Sequence, residues 1–122
     1  MGKFVLTKSE RLCREKEIEL LFRQGSVVFV YPLRVIHTLH QAKTPTPDQV
    51  LFSVPKRHFR RAVDRNTLKR RMREAYRLNK LTPMPGLSRQ IAFVYIGTEL
   101  APFDIIRKSL VRTLEKIAQT QV

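Results

Sequence analysis

Residues 60–80, "RRAVDRNTLKRRMREAYRLNK", carry Arg60, Arg61, Arg65, Lys69, Arg70, Arg71, Arg73, Arg77 and Lys80 against only Asp64 and Glu74. Guanidinium groups are neither nucleophiles nor general bases at neutral pH. They neutralise anions and fork onto their oxygens, phosphate above all. Placed on a helix at about 100° per residue, Leu68, Met72, Ala75 and Tyr76 fall on one face as a docking stripe. Arg65, Asn66, Lys69, Arg70, Arg73 and Arg77 form a second, contiguous face. Such a stripe excludes a disordered basic tail. A helix that needed only solubility would interleave acids with its bases at i,i+4. Here Asp64 stands in the first turn, where the helix dipole favours an anion, and Glu74 can pair with Arg70, Arg71 or Arg77. Most of the positive charge is left for a polyanion to neutralise. Asn66, a neutral amide within the cationic face, is either a surface accident or a donor and acceptor of specific hydrogen bonds.

Bond-breaking chemistry is harder to find. Cys13 is alone, so neither an intramolecular disulfide nor a cysteine zinc cluster can form. His37, His40 and His58 lack the spacing of metal ligands, and no nucleophile elbow, H-E-x-x-H or phosphate-binding glycine loop is present. A metal-dependent nuclease needs clustered acids, whereas Asp48, Asp64, Glu74, Glu99 and Asp104 are scattered. No catalytic or metal-binding residue is therefore expected.

The elements that must position the basic helix fit one domain, residues 1–122, at 43% hydrophobic residues with only 4 Gly and 7 Pro. A formal charge of +14 points to nucleic acid. No apolar run approaches the roughly 20 residues that span a bilayer, and the N-terminal apolar stretch is too short for a secretory signal; the expected location is cytoplasmic. The pattern predicts a helix over 15–24 capped by Gly25, strands over 27–30 and 33–39, a loop over 41–48 and a strand over 49–54 with Val50, Phe52 and Val54 on one face. The basic helix follows over 62–80, then a Pro-rich break, a central strand over 91–96 closed by Gly97, and an amphipathic helix over 103–118 with Ile106, Leu110, Leu114 and Ile117 inward. The expected class is α+β, a two-layer α/β sandwich in the order α-β-β-β-α-β-α with helices on a small mixed four-stranded sheet.

The string Ala62-Val63-Asp64-Arg65-Asn66-Thr67-Leu68-Lys69-Arg70-Arg71-Met72-Arg73-Glu74 resembles the signature helix of the bacterial ribonuclease P protein family, in which A-V-x-R-N-R-x-K-R-x-x-R-E is typical. Arg11-Leu12 with Phe22 and Gly25 downstream, and Ser53-Val54-Pro55-Lys56-Arg57 before the basic helix, match the family in order. Thr67 departs from the R-N-R triplet, Ile18 stands where the family commonly has an aromatic residue, and His37 where a strand tyrosine is common.

The resemblance implies a non-catalytic subunit that binds a catalytic RNA subunit and the 5′ leader of precursor tRNA, with the catalytic magnesium ions held by the RNA. It also implies a left-handed β-α-β crossover around the basic helix. Carried over residue by residue, Lys56, Arg57, Arg61, Arg65, Lys69, Arg70, Arg71, Arg73 and Arg77 are expected on the RNA subunit, with Arg60 extending that surface. Ile18, Phe22, Val35 and His37, with Arg65, Asn66 and Lys69 at the edge, are expected to hold the leader; for Phe22 and Val35 the alternative is a place in the core. Neither a membrane nor DNA is an expected partner. A ribosomal-type RNA-binding protein is the alternative reading.

Overall fold

The computed structural model describes residues 10–41, 47–81 and 86–120. The N-terminal eight residues and most of the predicted 41–48 loop and Pro-rich break lie outside them. The elements are α1 (Glu15–Gln24), β1 (Ser26–Val30), β2 (Leu33–Gln41), β3 (Gln49–Ser53), α2 (Ala62–Leu78), β4 (Leu87–Tyr95) and α3 (Phe103–Thr120), in the expected order. The sheet runs β1-β2-β4-β3. β2 is antiparallel to both β1 and β4, and only the β3–β4 pair is parallel, so α2 is the crossover that returns the chain to its neighbour strand.

One face of the sheet carries the larger core. Leu33, Val35, Val50, Ile91, Phe93 and Tyr95 meet the predicted stripe of α2 (Leu68, Met72, Ala75, Tyr76) and that of α3 (Ile106, Leu110, Leu114, Ile117). Phe52 stacks on Phe93 at 5.4 Å between ring centroids, and Tyr76 packs against both rings at 6.2 and 5.8 Å. On the other face α1 lies alone, a partial third layer over a smaller cluster of Leu12, Leu21, Ile36 and Ala92.

β4 begins four residues before the expected start at Ile91. Ser88, Arg89 and Gln90 read as polar, yet all three are buried because distant groups satisfy them. Arg89 forms a buried ion pair with Asp48 at 2.8 Å, and its backbone N–H donates to the same carboxylate at 3.0 Å. The Gln90 amide donates to Glu17 of α1 at 2.8 Å. α2 stops at Leu78 rather than Lys80, where the Asn79 side chain donates to the Ala75 carbonyl at 2.8 Å and closes the last turn.

Candidate nucleic-acid interface

The apolar stripe of α2 fixes the direction of every cation on it. With Leu68 and Met72 fully buried, Lys69 and Arg73 fall on the flank facing β3. There they form one wall of a cleft of about 430 Å³ whose other lining is Arg11, Leu12, Cys13, Val50, Leu51 and Phe52. The far wall is held in place by backbone pairing. Leu12 N–H donates to the Val50 carbonyl at 2.8 Å, and Arg11 bridges to Val50 in parallel sense, so the segment before α1 runs along the open edge of β3. Glu10 pairs with Lys80 at 2.6 Å and ties the start of that segment to the end of α2.

The cations predicted as one surface separate into two kinds. Lys69, Arg70 and Arg73 have no ion-pair or hydrogen-bond partner among the described residues, and neither do the exposed side chains of Lys56, Arg57 and Arg60. Asn66 is exposed beside them. Of the remaining four, Arg65, Arg71 and Arg77 are committed within the protein. Arg65 Nη1 donates to the Phe59 and Arg60 carbonyls, both at 2.8 Å, and so holds the loop that leads into α2. Arg71 Nη1 donates to the Ala101 carbonyl at 2.6 Å, tying α2 to the approach of α3. Arg77 is the partner of Glu74, whose carboxyl it holds below the usual range through a hydrogen bond. Arg61 reaches Asp64 only at 3.5 Å and remains exposed. Thr67 turns its hydroxyl back to the Val63 carbonyl at 2.8 Å.

The expected leader-binding residues divide between the two sheet faces. Ile18 packs partly buried against the smaller cluster, and Phe22 is 42% exposed on the same side. Val35 and His37 are elsewhere. Both are buried on the opposite face, Val35 in the core with α2 and α3, and burial lowers the His37 pKa. Contrary to expectation, neither lies on the α1 side as a floor for the leader, because strand residues two apart share a face and the neighbour between them, Ile36, is the one under α1. The sequence hides this: Leu33, Val35, Ile36 and His37 are all buried, so β2 shows no alternation to read. Arg11, Cys13 and Leu51 were also missed as cleft residues, and only the pairing of residues 11 and 12 with β3 reveals them.

Comparison with known proteins agrees with the signature helix. Residues 6–118 match the Ribonuclease P family. The ribonuclease P protein component of Porphyromonas gingivalis is 41% identical over 94% of this chain and 88% of its own length. That of Chlorobium phaeobacteroides is 34% identical over 96% and 90%. Among solved structures, the RNase P protein of Staphylococcus aureus superposes with a TM-score of 0.74 at 22% identity, covering 90% of this chain and 96% of its own. The protein from Thermotoga maritima gives 0.68 at 23% identity, with 88% and 96% covered.

Proposed function

Because the chain belongs to the ribonuclease P protein family, whose work is tRNA processing, we propose that it binds the enzyme's catalytic RNA subunit through α2 and guides the 5′ leader of precursor tRNA along the cleft beside it. The observation that carries this reading is the cleft itself, where Lys69 and Arg73 stand without a counter-charge among the described residues, opposite an apolar strand edge. Single-stranded RNA is held by such a combination, since each nucleotide brings a phosphate for the cation and a flat face for the apolar floor. Arg70, Arg61, Lys56, Arg57 and Arg60, on the outer side of α2 and its entry loop, meet the RNA subunit. Arg65, Arg71 and Arg77 shape that surface as much as they charge it. Phe22, Ile18 and Asn66 border the leader.

The whole chain acts in this reading as one RNA-binding domain in the cytoplasm, and hydrolysis is the work of magnesium ions in the RNA subunit. Glu10, Asp48, Asp64 and Glu74 each face a cation, and no three His, Cys, Asp or Glu side chains converge among the described residues. No helix among them is long and apolar enough to cross a membrane.

The test is cleavage of a leadered precursor tRNA at low magnesium by the RNA subunit alone, by the protein alone and by both. Activity restricted to the combined reaction is the expected result. Cleavage by the protein alone would overturn the non-catalytic role, and an absence of stimulation would overturn the partnership.

A further inference from the structure

The cleft beside α2 has two unlike ends. Its far wall, the segment of Arg11, Leu12 and Cys13, runs parallel to β3, and β3 leads through residues 54–61 into α2. α2 therefore begins at the end of the cleft where β3 stops and returns to the end where β3 starts. At the first end stand Lys56, Arg57 and Arg60, exposed and without a partner among the described residues. The groove is open and cationic there.

At the second end the two walls are joined. Lys80, about two turns beyond Arg73, pairs at 2.6 Å with Glu10, the residue before Arg11. Each wall supplies one partner, so the pair spans the groove from side to side. Loose surface contacts hold little, but here the Lys80 and Glu10 side chains are only 22% and 9% exposed. The buried Asp48–Arg89 pair stands close by, just before the start of β3. Tyr76, on the buried stripe of α2, senses both pairs: burial first, then the Asp48 and Glu10 carboxylates, raises the pKa of its hydroxyl. A phosphate reaching this end meets cations already neutralised by carboxylates, whereas Lys69 and Arg73 in mid-groove carry no such partner among the described residues.

We propose that the Glu10–Lys80 pair is the end stop of the groove and limits how many leader nucleotides the protein holds. This rests on the leader-binding reading above. Leader nucleotides nearest the cleavage site occupy the open end, beside the RNA subunit, and more distant ones come up against the pair. Glu10 and Lys80 are in this sense specificity-determining residues for leader length.

The test is equilibrium binding of precursor tRNAs with leaders of graded length to holoenzyme reconstituted from the full chain and its RNA subunit. With the unaltered protein, affinity rises with leader length and then levels off. Glu10→Ala combined with Lys80→Ala opens the end without leaving a lone buried charge, and the levelling point moves to longer leaders. Glu10→Gln, close in shape, releases the ammonium for a phosphate, so the log–log salt slope for the longest leader steepens by about 0.7 and that for the shortest does not. Circular dichroism and thermal melts accompany each variant, because a merely structural pair would lower the melting temperature and leave both readouts where they were. An unmoved levelling point in the folded double variant overturns the stop, and so does an unchanged slope in Glu10→Gln, which decides the matter alone where the double variant does not fold. Lys69→Ala and Arg73→Ala separate the two readings. If they flatten the dependence on leader length and the levelling point stays fixed, only the stop fails; if they leave that dependence intact, the leader-binding cleft fails with it.

Discussion

Arg65 and Arg73 lie about two turns apart on one helix and have different tasks. Arg65 spends its guanidinium on two loop carbonyls, whereas Arg73 opens onto the cleft. Arg73→Ala is expected to leave the melting temperature unchanged and to lower the log–log salt slope of RNA binding by about 0.7 to 0.9, one phosphate contact. Arg65→Ala is expected to lower both affinity and melting temperature, because hydrogen bonds from a charged donor each contribute about 1.5–3 kcal/mol, with the more solvent-exposed one at or below the low end. A salt titration with parallel thermal melts tells the two apart. His37 gives a pH signature. Burial lowers its pKa, so the fold prefers the neutral ring. Its contribution is present above the unfolded value of about 6.5 and is lost as pH falls through the folded one. Urea unfolding should therefore show stability falling from about pH 7 to about pH 5, and falling less in His37→Leu.

The helices were legible because their periodicity survives in one dimension. α1 and the inward stripes of α2 and α3 are where the spacing puts them. Strand faces were less legible. After Leu87, β4 continues with three polar residues whose partners are remote in the chain, Pro47 for Ser88, Asp48 for Arg89, and Glu17 and Gln49 for Gln90, and β2 is buried at Val35, Ile36 and His37 in succession, on both faces. The cationic surface was readable as composition, but its division into structural and open groups depends on which backbone carbonyls come within reach, and that is tertiary information. Docking of α1 turns on Gly25, where a Cβ would sit 2.4 Å from Ile36 Cγ2 and 2.6 Å from the Leu21 carbonyl oxygen. Its φ of −70° is open to any residue, so the demand is for space. Gly25→Ala is expected to destabilise the protein by about 1–3 kcal/mol in urea unfolding, and to weaken leader binding by lifting Phe22 with the helix.

The molecule as a whole is a strongly cationic shell that must stay folded before its polyanion arrives. Its acids are placed to help. The buried Asp48–Arg89 pair, with side chains only 9% and 5% exposed, joins the approach to β3 to the first half of β4 and so anchors both ends of the parallel crossover that carries α2. Asp48→Asn would remove the carboxylate charge that faces the buried Arg89 guanidinium, and a loss of about 3–5 kcal/mol is expected in urea unfolding. Replacing both residues by apolar ones of similar volume should recover most of it. The two sheet faces, one sealed by α2 and α3 and the other mostly open, carry a consequence for tolerance to change. Along β1 and the start of β2, substitutions at Val28, Leu33 and Val35 reach the sealed core, while those at Val27, Phe29 and Arg34 reach solvent, up to Ile36, which is buried under α1. A saturating mutational scan should accordingly show two interleaved phenotypes at residues 27–29 and 33–35, loss of soluble protein alternating residue by residue with full accumulation of folded protein.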